Sequence, residues 1–250
     1  MEEPTQRLLE LRGVSKSFER KRVLSDLDLA IERGETVAIL GPSGSGKSVL
    51  LRLVMGLARP DAGRILFAGV DIATLSEDAL RPLRARMAML FQGGALFDSL
   101  TVAENVAYPL RVQGALAEAA IGARVADRLA MVGLPETGGM MPADLSGGMK
   151  KRVALARAIA GEPELILYDE PTTGLDPMSA RRINDLIRSI QRRLRVTSIV
   201  VTHDVPSALR VADRIAILGD GRIETIVASD AFSSSPLPSV RAFSQGVGAP

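Results

Sequence analysis

A chain of 250 residues has room for one large α/β domain, or for a domain carrying an inserted subdomain. With 31 Lys and Arg against 29 Asp and Glu it has no basic excess that would call for nucleic acid; with no cysteine it has neither disulfides nor thiolate metal sites, which suits a reducing compartment. No apolar run approaches the roughly 18 residues of a membrane span, and the acidic start Met1-Glu-Glu-Pro4 is unlike a signal peptide, so the chain is expected not to cross a bilayer by itself.

Taken in order, Leu8–Leu11 and Leu27–Ile31 alternate apolar and polar residues as half-buried strands do. Between them lies Val14-Ser-Lys-Ser-Phe18, with Arg20, Lys21 and Arg22 behind it. Phe18 has two readings, a core phenylalanine or a ring that stacks on a purine, and its position alone leaves both open. Glu35–Leu40 reads as a short apolar strand and Val49–Met55 as a helix. The stretch joining them, Gly41-Pro42-Ser43-Gly44-Ser45-Gly46-Lys47-Ser48, has the form G-x-x-x-x-G-K-[ST] in the strand–loop–helix setting that this form requires. Glycines let the backbone wrap a phosphate, so that N–H groups and the helix N-terminus face the charge. Lys47 would neutralise the outer phosphates of a nucleotide, and the Ser48 hydroxyl would ligate Mg²⁺.

Arg64–Phe67, a turn at Ala68-Gly69 and Val70–Ile72 read as a second hairpin. Ser76 caps a helix predicted to run to about Arg86, with Pro82 early enough to be tolerated. Met87–Phe91 is a buried strand, followed by Gln92 and the loop Gly93-Gly94. From about residue 95 to 145 the pattern is helical: Thr101-Val-Ala-Glu104 is a capping-box start, and Ala117–Met131 is an Ala-rich helix closed by Gly133 and Pro135. This block reads as a helical subdomain inserted into a nucleotide fold. Next, Asp144–Arg152 leads into helical Val153–Ala160. Ser146 ahead of Gly147 and Gly148 is either a second anion-binding helix start or an ordinary cap.

Leu165-Ile-Leu-Tyr-Asp169-Glu170 is an apolar strand ending in two carboxylates. Asp169 would hold Mg²⁺ and Glu170 would orient and deprotonate an attacking water; a strand running into an acidic turn is the plainer reading. Thr173-Gly-Leu-Asp176-Pro177 introduces a helix from Met178 to about Leu194, and Thr197–Thr202 is the next buried strand. His203, the only histidine, follows at a strand's C-terminal edge, where open α/β sheets place their ligands. Residues 229–250 are rich in Ser, Pro and Gly like a linker, yet Val240, Phe243 and Val247 recur at helical spacing. That tail is either a frayed terminus or a short amphipathic segment that docks on a partner ATPase or an accessory protein.

The order Gly41–Ser48, Gln92, Leu145–Met149, Asp169-Glu170, Asp176, His203 resembles the ATPase subunit of ATP-binding cassette (ABC) transporters, over residues 6 to about 226. The resemblance implies an α/β fold: a P-loop NTPase core of mostly parallel sheet with helices, an N-terminal antiparallel β subdomain, and an α-helical subdomain inserted in the RecA-like core at about 95–160. The ATPase domain is then 1–226 and the tail 227–250. ATP and Mg²⁺ are the implied cofactors. Phe18 takes the adenine-stacking position beside Gly41, Pro42, Ser43, Gly44, Ser45, Gly46, Lys47 and Ser48. Ser48, Gln92 and Asp169 serve the metal, while Glu170, His203, Lys47 and Gln92 serve catalysis. Ser146, Gly147 and Gly148 face the ATP of the other subunit, and Asp176 lies in the loop crossing the dimer interface. The signature's fifth residue, usually Gln, is Met149. The run Gly94-Ala-Leu-Phe-Asp-Ser-Leu-Thr-Val102, the following Tyr108-Pro-Leu110 and the signature ending in Met resemble the Mla-type phospholipid-trafficking ATPases. The implied partners are a second copy, integral permease subunits, and substrate-binding and small accessory proteins at the cytoplasmic side of a Gram-negative inner membrane, with no nucleic acid. An importer of another solute and a non-transporting ABC regulator share the same catalytic motifs.

Overall fold

The computed structural model describes residues 7–19 and 21–244, so Arg20 and Val247 lie outside the described residues. Strand β1 (Arg7–Phe18) pairs antiparallel with β2 (Lys21–Glu32). Both run beyond the predicted 8–11 and 27–31, because register shifts between Leu11 and Ser17 let the chain keep pairing where its alternation breaks down. β3 (Thr36–Leu40) leads through the glycine-rich loop into α1 (Lys47–Val54). β4 (Ala62–Phe67) and β5 (Val70–Asp71) form the second predicted hairpin and complete a sheet of order β2-β1-β4-β5.

α2 (Glu77–Arg84), capped by Ser76, and β6 (Met87–Leu90) follow as predicted. Between β6 and β7 (Leu165–Asp169) the described residues hold no strand, only α3 (Val102–Gln113), α4 (Glu118–Met131), a short 3₁₀ turn and α5 (Gly147–Ala160). Thr101 and Glu104 close the predicted capping box at α3. α6 (Pro177–Leu194), β8 (Thr197–Thr202), α7 (Val205–Val211), β9 (Arg214–Gly219), β10 (Arg222–Ala228) and α8 (Pro238–Ser244) are the remaining helices and strands of the described residues, with a 3₁₀ turn at Phe232–Ser234. None of these described helices is long and apolar enough to cross a membrane.

The second sheet has the order β10-β9-β3-β8-β7-β6, parallel except for the β9–β10 hairpin. Its central strands are apolar throughout because both faces are covered. Val37, Ile39, Leu165, Leu167, Ile199 and Val201 face a core shared with α1 and the antiparallel sheet. Their alternates Ala38, Leu40, Ile166, Tyr168 and Val200 face a core built with α3–α7, so the helical block shares one continuous interior with the sheet. Burying each such aliphatic side chain contributes roughly 1.5–3 kcal/mol. The predicted boundary at 226 falls inside β10, and Phe232 and Val240 are buried in the α3–α7 core. Val240, expected on a docking face, is therefore covered by its own chain, with Phe243 half-buried beside that core.

What matters for function is the sheet's C-terminal edge. Leu40 pairs with Thr202, Asp169 with Val201, and Leu90 with Tyr168. Four parallel strands, β3, β8, β7 and β6, thereby end side by side, and the loop bearing Gln92 leaves the same edge.

Candidate active site

The glycine-rich loop needs its glycines at two places in particular. Gly46, at φ 102°, is the N-cap of α1 and has no side-chain capping bond. A Cβ there would sit 2.9 Å from Leu24 Cδ2 and 3.1 Å from the Val23 carbonyl. A Cβ at Gly41 would meet the Leu218 carbonyl and Ser45 Oγ, each at 2.7 Å. The loop is thus pressed between β2 and β9, with the first-turn N–H groups of α1 left for a ligand. Ser45 Oγ is also buried without a hydrogen-bond partner among the described residues. Uncapped N–H groups, a positive helix end and an orphaned hydroxyl are the features with which a loop can cradle a phosphate.

A cleft of about 450 Å³ opens there, lined among others by Lys21, Val23, Lys47, Gln92, Glu170 and His203. Ser43, Gly44, Gly46, Ser48 and Asp169 line it as well. Lys47 folds back on its own loop, donating to the carbonyls of Gly41 at 2.7 Å and Pro42 at 3.0 Å, with Glu170 Oε1 at 3.7 Å. Burial holds its ammonium below the ordinary lysine range, against the pull of Glu170 and Asp169. An ammonium this desolvated gains from an incoming phosphate. Ser48 Oγ donates to Asp169 Oδ1 at 3.1 Å, and burial pushes the Asp169 carboxyl up, opposed by that bond. Lys151, itself lowered by burial, donates its ammonium to the Gln92 carbonyl and pins that loop against α5.

Glu170 stands at φ 47°, a left-handed conformation that costs a non-glycine residue about 1–2 kcal/mol. This turn lifts its side chain out of the strand's alternation. Its Oε2 accepts from Thr202 Oγ1 at 3.2 Å and Thr173 Oγ1 at 3.3 Å. His203 Nδ1 lies 3.0 Å from Oε2 and 3.1 Å from Oε1. A carboxylate so held, beside a largely exposed imidazole, can take a proton from water and stay oriented while doing so.

The described residues contain no group of three or more His, Cys, Asp or Glu side chains placed to hold a metal. Ser48, Asp169 and Gln92 instead offer a few oxygens on one side of the cleft. That donor set suits Mg²⁺, which keeps phosphate oxygens and waters rather than an all-protein cage.

Not every predicted residue enters the cleft. Phe18 pairs with Lys21 across the hairpin and is 48% exposed, which removes the core reading; its ring carries the Lys16 ammonium at 5.4 Å and is not part of the cleft wall. Ser146 caps α5 by accepting from Met149 N at 3.3 Å, while side chains at Gly147 and Gly148 would meet Leu175 and Ser179 at ordinary contact distance. Met149, in place of the usual Gln, packs half-buried on the α3–α7 core. Asp176 caps α6, and hydrogen bonds from Ser179 and Met178 hold its carboxyl below the usual range. Sequence reasoning did not single out Thr173, Thr202 or Lys151. Thr202 had a usable signal, since it is the last strand residue before His203.

The sequence model of the ABC transporter family matches residues 24–173, which takes in the cradle, Gln92, the Ser146 helix start and both carboxylates. The chain belongs to the ABC transporter family. Over 247 residues it is 43% identical to the intermembrane phospholipid transport system ATP-binding protein MlaF of Escherichia coli K12, covering 99% of this chain and 92% of that one. It is 44% identical over 241 residues to the methionine import ATP-binding protein MetN 2 of Rhodococcus jostii, covering 94% and 71%. Among solved structures it resembles the ATP-binding cassette MJ0796, a dimer in a post-hydrolysis state bound to ADP and Pi (TM-score 0.81, 34% identity, 88% of this chain and 98% of that one). The chain is thus the ATP-binding, ATP-hydrolysing subunit of an ABC transporter, with an α/β P-loop NTPase fold.

Proposed function

We propose that two copies of this chain pair head to tail and close on two ATP molecules, driving a permease that moves phospholipid between the membranes of a Gram-negative envelope. The observation behind the pairing is that Lys47, Ser48, Asp169, Glu170 and His203 line one cleft, whereas the Ser146–Gly148 helix start lies outside it. In this reading the chain carries two half-sites, which a two-fold arrangement of copies would bring together. In the closed state Lys47 and the uncapped turn of α1 bind the outer phosphates, the adenine stacks on the exposed Phe18 ring, and Ser146, Gly147 and Gly148 reach the γ-phosphate from the other copy. Asp176 sits in the loop where the copies cross. Ser48, Asp169 and Gln92 would hold Mg²⁺, which would supply charge neutralisation on the phosphates. Glu170, aimed by Thr202 and Thr173, takes the proton of the attacking water, and His203 steadies it. ATP favours closure because it touches both copies only in that state; losing the γ-phosphate favours opening.

A groove of about 610 Å³, lined by Met55, Leu57, Phe91, Phe97, Tyr108 and Arg157 among others, is the permease's docking site in this reading. Its rim carries exposed Leu57, Phe91, Phe97 and Tyr108, more apolar surface than an isolated subunit has reason to show. Arg157 donates to the carbonyls of Gly94 and Ala95, both at 2.9 Å, so a segment in the groove would bear on the loop that carries Gln92. The complex would sit on the cytoplasmic side of the inner membrane with substrate-binding and small accessory proteins. The phospholipid assignment is supported by MlaF, matched over nearly the whole chain. The likeness to MetN 2 favours a second reading, an importer of a small solute. Purifying the complex from membranes decides between them. A permease that carries co-purifying phospholipid is expected, and one that binds methionine or another small solute overturns the lipid reading.

A further inference from the structure

Beside the nucleotide cleft, and sharing Thr173 and His203 with it, lies a second cleft of about 750 Å³ between α6 and the start of α7. The polar residues Thr172, Asn184 and Ser207 are buried along it. Asn184 Nδ2 donates to Ser207 Oγ at 2.8 Å, and Ser207 donates to Asp204 Oδ2 from both its hydroxyl and its N–H. Asp204 N–H donates to Thr202 Oγ1 at 3.0 Å, and Thr202 donates to Glu170 Oε2 at 3.2 Å. The donors run one way, from α6 to the Glu170 carboxylate. Thr172 Oγ1 lies 3.4 Å from Ser207 Oγ, which ties the loop after Glu170 to the same hydroxyl.

Part of this chain is plain helix capping, since Asp204 is the N-cap of α7 and accepts from Ser207 N. Capping gives no reason for Asn184. Its Oδ1 is buried with no hydrogen-bond partner among the described residues, a desolvation cost that a leucine of similar volume would avoid. Asn184 lies about two turns along the helix that Asp176 caps.

We propose that Asn184 and Ser207 are positioning residues that pass the placement of α6 to Glu170 and His203. The inference rests on the proposed closure of two copies on ATP. A partner pressing on the Asp176 loop sets α6; Asn184 moves with α6, and the relay through Ser207, Asp204 and Thr202 sets the carboxylate against the attacking water.

The test compares Asn184→Leu, Ser207→Ala and Ser207→Thr in the full chain, assayed with the membrane protein that co-purifies with it. kcat, KM for ATP and Tm are measured for each. In parallel, Ser43→Cys and Gly147→Cys are introduced together, and ATP-dependent crosslinking between copies is followed. The relay predicts that Asn184→Leu and Ser207→Ala lower kcat about tenfold with KM within about twofold, and that Ser207→Thr restores kcat. Tm of Asn184→Leu should be no lower than wild type, and its effect on kcat should be less than additive with that of Thr202→Val. Wild-type kcat in either truncation, additive effects, or loss of kcat only in proportion to a fall in Tm would overturn the relay. Should Asn184→Leu fail to fold, the Ser207→Ala and Ser207→Thr pair decides. Absence of the crosslink in the otherwise wild-type chain refutes the two-copy closure itself; a crosslink with unchanged kcat in the truncations refutes the relay alone.

Discussion

Replacing Glu170 with Gln keeps the side chain's shape and removes its charge and basicity. The carboxylate meets His203 Nδ1 at 3.0 Å, Thr202 Oγ1 at 3.2 Å, Thr173 Oγ1 at 3.3 Å and Lys47 Nζ at 3.7 Å. A Gln carbonyl can still accept from the threonines, so the local fold should hold. Its amide cannot take a proton from water. Positioned general-base catalysis is worth roughly 10²–10⁴ in rate, or about 2.7–5.5 kcal/mol of barrier. Binding should move the other way: Glu170 lines the same cleft as Lys47, 3.7 Å from its ammonium, and neutralising it should free Lys47 to meet a phosphate. The expected outcome is a kcat at least about 100-fold lower with ATP affinity equal or tighter, read by single-turnover phosphate release beside an equilibrium nucleotide-binding titration. Hydrolysis within about tenfold of wild type would remove Glu170 as the base. Loss of ATP binding would mean instead that Glu170 serves only as the counter-ion that holds Lys47.

Three further expectations rest on separate parts of the molecule. Gly46→Ala puts a Cβ 2.9 Å from Leu24 Cδ2 at a φ of 102°; strain and overpacking together should cost about 2–5 kcal/mol, and an unchanged denaturation midpoint would refute the account of the loop. Glu164 bonds Arg86, and Arg33 at 2.7 Å, and these hold its carboxyl below the usual range. Its stabilisation is therefore present above the unfolded value near 4.5 and lost as pH falls through the lower folded value. Glu164→Gln should lower stability by about 0.5–1 kcal/mol at neutral pH and by nothing at acid pH, so a loss that persists at acid pH would contradict the ion-pair account. Tyr108→Ala, in the apolar groove, should reduce recovery of the permease from membranes while leaving nucleotide affinity unchanged, and undiminished recovery would move the docking site elsewhere.

The glycine-rich loop was legible because its pattern is local: glycines, lysine and serine are contiguous, and the flanking strand and helix announce themselves by pattern. β3, β7 and β8 were legible for a related reason, since strands covered on both faces read as unbroken apolar runs. β1 was only half legible. Its register shifts around Gly13 move the side-chain phase, so alternation fails where pairing continues. β9 and β10 are absent from the predicted elements although Asp220-Gly221, both at positive φ, sits between two apolar runs as a hairpin turn does. Charged Arg222 and Glu224 blur that second run. Val240 shows another limit: helical spacing identifies an apolar face but not what covers it, and here the cover is the chain's own core. The aim of Glu170 was out of reach for a tertiary reason. Thr202 is 32 residues away in sequence, and only parallel pairing of β7 with β8 brings its hydroxyl to the carboxylate.

The central claim is that each copy carries half of each of two sites. Because the chain has no cysteine, one pair placed at Ser43 and Gly147 can be read without background. With Glu170→Gln to prevent turnover, disulfide crosslinking should join the loop of one copy to the Gly147 helix start of the other when ATP is present, and not with ADP. No crosslink under ATP, or full hydrolysis by a strictly monomeric preparation, would contradict the account.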